Sequence, residues 1–208
     1  MKFTHIPFHK TGFFSKIMTD YLDQKKSIKQ FYSNFPDIKG FASQINEKKK
    51  SFDLATREKL VTVLKDQYRN VSATEATIKN INSLENKETF TITTGHQLNL
   101  FTGPLYFLYK IISTINLTES LAEQFPDQRF VPVYWMATED HDFKEISYFN
   151  FKGKEVSWDR PNGGAVGRFS LEGLQEVHVH FSKQLGDTKN AIFLSQLFEK
   201  AYVSHSNL

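Results

Sequence analysis

Cysteine is absent from the 208-residue sequence, which excludes disulfide scaffolds, thiolate zinc sites and cysteine nucleophiles. No apolar run approaches the roughly 18 residues that a helix needs to cross a bilayer. The N-terminus, from Met1 to His5, lacks the apolar segment of a secretory signal peptide. We therefore expect a soluble, cytoplasmic protein that has no membrane partner.

A large excess of charge of one sign is also lacking. The sequence holds 26 basic and 23 acidic residues, for a net charge of +3. The one dense basic run, Lys48 to Lys50, is typical of a solvated helix face, so no nucleic-acid partner is predicted. Hydrophobic residues make up 39% of the chain and include 20 phenylalanines, which is typical of a globular protein with a core.

The first 85 residues have a helical pattern and form the first predicted region. Helices are predicted over 15–32, 40–50 and 73–84, and a fourth begins after Asp53, a good N-cap residue. The apolar stripe predicted for this fourth helix consists of Leu54, Leu60, Val61, Leu64 and Tyr68. No titratable cluster lies in this region, so we expect it to pack on the core formed by later residues.

Residues 86–150 have the pattern of a strand, a helix and a second strand. The β-branched run 89–93 predicts a strand broken by Gly95, and the loop after it ends at Pro104. A helix is predicted over 105–125, buried on more than one face, and the apolar run 130–136 predicts an interior parallel strand. Ligands of open α/β sheets bind beyond the carboxyl ends of the strands, where two polar clusters fall here.

Residues 151–208 are interpreted as the start of an inserted module. A turn is predicted at 161–164, a strand at 177–181 and a helix at 190–202. An open parallel sheet needs more strands than the two found. The predicted fold class is therefore α/β, with an incomplete Rossmann-like parallel-sheet core, N-terminal helices and a module that continues in a longer protein.

The first polar cluster follows the first strand. A glycine there permits close backbone approach to a ligand, and the N-terminus of the next helix attracts anions. His96 could act as a general acid or stabilise developing charge. A tight turn with a capping threonine explains the motif equally well. The candidate ligand-binding residues of this cluster are Thr94, Gly95, Gln97, Thr102 and Gly103.

The second polar cluster comprises Glu139, Asp140, His141 and Asp142, directly after the second strand. Three carboxylates and an imidazole are costly to crowd together unless they are solvated or bind something. They could capture a cationic amine, with His141 as acid or base. Metal ligation is a weaker alternative because the spacing matches no standard site, and an acidic helix N-terminus is the structural alternative.

Other residues are less specific. Lys110 could reach a phosphate, and Arg168 could bind an anion, although both residue types are commonly just solvated. His178 and His180 are predicted to share a strand face, too few ligands for a metal site. Trp135 and Trp158 are most simply core or boundary residues.

Two long motifs, 94–106 and 131–143, together with the segment 164–168, closely resemble the family of the bacillithiol-biosynthesis cysteine-adding enzyme BshC. The similarity extends over the whole chain but only over the N-terminal part of the family's length. It implies a Rossmann-like core related to nucleotidylyl transferases and class I aminoacyl-tRNA synthetases. It also implies a C-terminal coiled coil that forms a homodimer in the full-length protein.

The resemblance implies a ligase that forms a carbon–nitrogen bond between cysteine and glucosaminyl-malate, with a nucleotide such as ATP or ADP as a candidate cofactor. His96, Asp140 and His141 are the candidate catalytic residues. Thr94, Gly95 and Lys110 are the candidate nucleotide-binding residues, and no metal site is predicted. The alternatives are a nucleotidylyl- or adenylyl-transfer enzyme and a non-catalytic nucleotide- or sugar-binding module. We expect the 208 residues alone to be inactive.

Overall fold

The structure, a computed structural model, describes residues 4–161 and 163–208. The turn predicted at 161–164 includes Asn162, which lies outside the described residues. The chain divides into two compact units. Unit 1 comprises the residues up to Phe90 together with Asp127–Arg129, and unit 2 comprises Thr91–Pro126 and Phe130–Leu208.

The first helix of unit 1 is shorter than the sequence pattern predicts. Helix α1 spans Lys16–Leu22, the chain turns at Gln24 with φ at 51°, and a 3-10 helix covers Lys26–Phe31. Beside this turn lies the buried carboxylate of Asp20. The ammonium of Lys25 donates to it at 2.6 Å, and the turn brings that lysine back to α1. The single long helix predicted here is therefore wrong.

Three further helices of unit 1 confirm the sequence pattern. Helix α2 spans Ile38–Ser51, α3 spans Leu54–Gln67 and α4 spans Glu75–Ser83. Asp53 caps α3 as predicted, because its carboxylate accepts a hydrogen bond from the backbone N–H of Thr56 at 2.7 Å.

The buried face of α3 differs from the predicted apolar stripe. Val61 is fully buried, but Leu54 and Tyr68, at the two ends of the stripe, are exposed. Arg57, which no apolar pattern would select, is buried instead. A charged group is tolerated inside a protein only when its donors are satisfied.

The Arg57 guanidinium meets that requirement at its two terminal nitrogens, whereas its buried Nε has no hydrogen-bond partner among the described residues. The terminal nitrogens donate to the carbonyl oxygens of Leu84 and Thr89, both at 3.0 Å, and to that of Lys87 at 3.4 Å. These carbonyls follow α4 and open the first strand. Arg57 therefore fixes the point at which the chain leaves the helices of unit 1.

The predicted strand–helix–strand unit is confirmed. Strand β1 spans Thr89–Gln97, helix α5 spans Leu105–Gln124 and strand β2 spans Arg129–Ala137. The two strands form a parallel two-stranded sheet. The predicted break at Gly95 is wrong, because β1 continues through Gly95 and ends at Gln97.

Helix α5 buries one face rather than several. The buried residues Thr114, Thr118 and Leu121 follow helical spacing, and both threonine hydroxyls donate to carbonyls one turn earlier. The predicted apolar stripe lies beside this face and is exposed in the described structure except at Leu121. Its exposed members are Leu105, Leu108, Ile112 and Ile115.

The remainder of unit 2 is a small hairpin and a helical pair. A short helix α6 covers Phe143–Ile146, and β3 (Tyr148–Phe151) pairs antiparallel with β4 (Lys154–Ser157). Helix α7 spans Leu174–Leu185. Helix α8 spans Lys189–Phe198 and continues into a π-helical turn over Glu199–Val203.

The strand predicted at 177–181 is wrong, because these residues lie inside α7. The two histidines consequently point apart. His178 is buried with its Nε2 3.0 Å from the Ser195 hydroxyl, whereas His180 is exposed with its Nε2 2.6 Å from the Gln184 amide. Alternation over five residues is too short to separate a strand from a helix.

The core of unit 2 joins this helical pair to the ends of the sheet. Leu100, from the β1–α5 loop, is fully buried among residues of α6, the hairpin, α7 and α8. Trp158 is buried in the same cluster, whereas Trp135 on β2 is 59% exposed. Within the described ranges, no helix is both long and apolar enough to cross a membrane.

Candidate active site

The carboxyl ends of β1 and β2 lie side by side in unit 2. A Cβ atom placed on Gly95 would lie 3.1 Å from both the Cβ and the carbonyl oxygen of Trp135 on β2. Such contacts are tighter than most side chains tolerate, so the neighbouring strand already explains the glycine. The two polar clusters, one inside the end of β1 and the other directly after β2, therefore share one edge of the sheet.

His96 is held by residues on both sides of its imidazole. Its Nε2 lies 2.9 Å from the Tyr106 hydroxyl, and its Nδ1 lies 3.1 Å from both the Asn99 amide nitrogen and the Gln97 carbonyl oxygen. The ring of Phe107 packs edge-on at 5.5 Å. Neither Asn99 nor Tyr106 was selected from sequence, although both lie in the motif that follows β1.

This arrangement accommodates either protonation state of His96. When Nδ1 is unprotonated it accepts from the Asn99 amide, and when it is protonated it donates to the Gln97 carbonyl. The Tyr106 hydroxyl can donate to Nε2 or accept from it. A side chain whose neutral and cationic forms both find partners is suited to moving a proton.

Lys110 reaches the end of β1 from the second turn of α5. Its ammonium donates to the Gly95 carbonyl oxygen at 2.9 Å and lies 5.8 Å from the centre of the Tyr106 ring. Its exposed side chain places a positive charge beside His96. The sequence prediction of an anion-binding role for Lys110 is compatible with this position.

The second cluster is organised around Asp140. Its Oδ1 accepts from the backbone N–H groups of His141 at 2.7 Å and Asp142 at 3.2 Å. The hydrogen bonds from Asp142 and His141 hold the pKa of Asp140 below its ordinary value. Asp140 is therefore an ionised acceptor, with 28% of its side chain exposed.

The other members of the second cluster point outward. The His141 side chain is 88% exposed, and its Nδ1 lies 3.8 Å from the nearer Asp140 oxygen. Glu139 and Asp142 are exposed as well. Among residues 4–161 and 163–208, no three histidine or carboxylate side chains converge as a metal site would require.

Gln97 connects the two clusters. Its amide nitrogen donates to Glu145 Oε2 at 2.8 Å, and the same side chain helps to hold the pKa of the Asp140 carboxyl below its ordinary value. Glu145, on α6, was not selected from sequence because it lies outside the acidic run. The structure thus brings Gln97, Asp140 and Glu145 together beside His96.

The other residues predicted for the site make no side-chain hydrogen bond to Gln97, Asp140 or Glu145 among the residues that the structure describes. Thr102 is exposed, and its hydroxyl is 3.5 Å from the Gly103 carbonyl oxygen. Gly103 has φ at 61° and packs against the Asn99 side chain, where an added Cβ would be 2.7 Å from Cγ. Thr94 is half-buried within β1, and the Arg168 side chain is exposed.

A 3-10 turn at Val166–Arg168 hydrogen-bonds to the backbone of the loop that holds the second cluster. The backbone N–H of Val166 donates to the Asp140 carbonyl at 2.7 Å, and that of Gly167 donates to the Thr138 carbonyl at 3.0 Å. A Cβ on Gly167 would lie 2.6 Å from Thr138 Cβ. The segment 164–168 is therefore a structural support for the loop after β2.

These features define a Rossmann-like α/β domain with a polar site at the carboxyl ends of two parallel strands. The family described as "Bacillithiol biosynthesis BshC, N-terminal Rossmann-like domain" matches residues 1–208. The chain belongs to this family, as its sequence motifs predicted.

Relatives from several bacteria carry the name "Putative cysteine ligase BshC". The protein of Christiangramia forsetii is 54% identical over 207 residues, and that of Flavobacterium johnsoniae is 55% identical over 203 residues. Each alignment covers 98% of this chain and 38% of the relative. The Bacillus cereus relative is 34% identical over 142 residues, or 67% of this chain and 26% of its own. This chain therefore spans little more than a third of the length of the first two relatives.

Proposed function

We propose that this chain provides part of the active site of a ligase that joins cysteine to glucosaminyl-malate in bacillithiol biosynthesis. The observation that carries the proposal is the hydrogen bond from the Gln97 side chain to Glu145, beside His96 and the Asp140 carboxylate, whose pKa Gln97 helps to lower. Two carboxylates and an imidazole near the carboxyl ends of β1 and β2 support this proposal. The names of the relatives and their 54–55% identity support the same activity.

Amide formation requires a positioned amine, an activated carboxyl group and a proton acceptor. We assign the amine to Asp140 and Glu145, because ionised carboxylates bind an ammonium group and orient it. The amine must lose a proton before it attacks the carbonyl carbon. His96 serves as the base, and the exposed His141 assists the proton's exit to solvent.

The β1 side of the site suits the anionic part of the reactants. Lys110 and the N-terminal turn of α5 offer positive charge beside Gly95. We assign this side to a phosphate or to the malyl carboxylates. A nucleotide would bind here through Thr94, Gly95 and Lys110, and would activate the carboxyl group. Thr102, Gly103, Glu139, Asp142 and Arg168 form the rim that contacts substrate.

The assignment is tested in a protein of the relatives' full length that carries this chain. Asp140→Asn and Glu145→Gln should each lower kcat/KM about tenfold to a hundredfold, as expected for removing a charged hydrogen bond. Glu155→Gln, on the exposed hairpin, is the matched control and should leave turnover unchanged. An Asp140→Asn/His141→Ala enzyme that makes bacillithiol at the normal rate would refute the proposal.

Two further measurements distinguish the reaction classes. In a host strain that lacks the gene, glucosaminyl-malate should accumulate and no bacillithiol should be detected. With nucleoside triphosphate present, release of pyrophosphate would identify adenylyl transfer, whereas release of phosphate would identify an acyl phosphate. Binding of nucleotide and glucosaminyl-malate without turnover would favour a non-catalytic module instead.

We further propose that the full-length protein is a cytoplasmic homodimer held by a coiled coil outside this chain. The family resemblance supports this assembly. Light scattering on the full-length protein should give twice the monomer mass. A monomer at micromolar concentration would contradict the proposal.

A further inference from the structure

The β1–α5 loop, residues 98–104, has a constrained backbone. It includes Asn99, whose side chain contacts His96. Phe101 adopts φ at 58°, a left-handed conformation that bulky side chains rarely occupy. Its ring packs against Phe149 and Phe181 at 5.2 Å and against Phe198 at 5.6 Å between centroids. The loop is thus anchored in the core of unit 2.

Tyr202 holds the backbone of this loop from the other end of unit 2. Its single O–H proton is shared between two carbonyl oxygens, that of Asn99 at 3.0 Å and that of Phe101 at 3.2 Å from the hydroxyl oxygen. Burial raises the pKa of Tyr202 to about 12, so the hydroxyl remains a donor at any physiological pH. The sequence distance of about a hundred residues makes this a purely tertiary contact.

Asn99 transmits the position of the loop to His96. Its amide nitrogen lies 3.1 Å from His96 Nδ1 and donates to the Gln97 carbonyl oxygen at 3.0 Å. Gly103 packs against the same side chain, which leaves the amide little room to swing away. The path from the Tyr202 hydroxyl to the imidazole therefore runs through one residue.

We propose that Tyr202 is a positioning residue that orients the His96 imidazole by holding the Asn99 and Phe101 carbonyls. Only the expected effect on kcat rests on the proposed function. The orientation of His96 by Tyr202 does not depend on which substrate binds. The module that follows the hairpin thereby becomes part of the catalytic apparatus. An alternative is that the Tyr202 hydroxyl only stabilises the core.

The test compares three variants of the full-length protein. Tyr202→Phe keeps the ring and removes the hydroxyl, and Tyr148→Phe makes the same change at an exposed tyrosine of the hairpin. Asn99→Ser leaves the Tyr202 contact to the backbone intact, but its side chain is too short to reach His96. Amide hydrogen exchange and steady-state kinetics are measured for each variant and for the Tyr202→Phe/Asn99→Ser double variant.

Tyr202→Phe should speed amide exchange in residues 98–103 by about tenfold and leave exchange in residues 91–94 unchanged, since one hydrogen bond is worth roughly a factor of ten. It should also lower kcat fivefold to tenfold with little change in KM. Asn99→Ser should lower kcat similarly without faster exchange. The double variant should be no slower in turnover than the worse single variant, because both act on one path.

Unchanged amide exchange in residues 98–103, or an equal rise throughout unit 2, would overturn the proposal. Kinetic losses that multiply in the double variant would overturn it as well. If Tyr202→Phe does not fold, an Asn99→Ser enzyme with normal kcat is the contradicting result. Absence of cysteine ligation by the unmodified protein would refute the proposed function, while the exchange experiment would still decide the role of Tyr202.

Discussion

Replacement of Gly167 by alanine tests whether the segment 164–168 supports the acidic cluster. The added methyl group would lie 2.6 Å from Thr138 Cβ, 3.1 Å from the Thr138 carbonyl oxygen and 3.2 Å from Thr138 Cγ2. The first contact is far inside van der Waals distance, and a Cβ is held rigidly by the backbone. Either the 3-10 turn or the loop after β2 must move.

The expected cost depends on which of two routes relieves this contact. Overpacking typically destabilises a protein by about 1–3 kcal/mol. If the turn moves instead, it weakens the hydrogen bonds from Val166 to Asp140 and from Gly167 to Thr138, each worth roughly 1 kcal/mol. Both routes lead to a loss of about 2 kcal/mol in the free energy of unfolding of unit 2.

Urea denaturation of the chain, followed by the fluorescence of buried Trp158, measures this loss. The matched experiment adds Thr138→Gly, which removes the side chain that the new methyl group meets. Thr138→Gly alone should cost roughly 1 kcal/mol in backbone entropy. In the double variant the two losses should not add, since the contacts with Thr138 Cβ and Cγ2 are gone and only the milder 3.1 Å contact with the carbonyl oxygen remains. Normal stability of Gly167→Ala, or strict additivity in the double variant, would refute the reasoning.

Three further predictions concern buried or hydrogen-bonded groups. Arg57→Met keeps an unbranched apolar side chain, shorter than that of arginine, and leaves the carbonyls of Leu84 and Thr89 without this donor. The urea-derived unfolding free energy should therefore fall by about 2–4 kcal/mol, and a change below about 0.5 kcal/mol would contradict this. Because its folded-state pKa is lowered, the Asp140 carboxylate stabilises the fold above its ordinary value of 3.8, and this contribution is lost as pH falls through the folded pKa. In Asp140→Asn the unfolding free energy should therefore fall less steeply as pH is lowered below 3.8. An acid pH dependence equal to that of the unmodified protein would contradict this prediction. The pKa of Tyr202 is raised from 10.0 to about 12, so its protonated hydroxyl stabilises the fold below pH 10, and this contribution is lost between pH 10 and 12. The unfolding free energy of Tyr202→Phe should therefore lack this decline between pH 10 and 12, whereas that of Tyr148→Phe should keep it.

The elements of the sheet were predictable from local patterns, and the same patterns led to the candidate site. A β-branched run, a proline at a helix start and an apolar run of strand length are enough to predict β1, α5 and β2. The rule that ligands bind at the carboxyl ends of parallel strands then located His96 and Asp140 at one edge. The failures were also local, since alternation at 177–181 fits either a strand or one face of a helix.

The partners of the site residues were not predictable in the same way. Glu145 lies in a short helix outside the acidic run, yet Gln97 reaches it across 48 positions of sequence. Arg57 reads as an interruption of an apolar stripe until the carbonyls it binds are known. The role of Gly167 becomes clear only when Thr138 is seen behind it.

The sequence by itself determined the family, the α/β class and the order of strand, helix and strand, because these depend on hydrophobic period, caps and turns within a few residues. The tertiary structure alone decided which polar groups meet. Tyr202 holds the loop beside His96, and the turn at 166–168 supports the loop at Asp140, because folding brings together segments whose separation leaves no local signal. Hydrogen bonds depend on distance in space, which patterns along the chain do not encode.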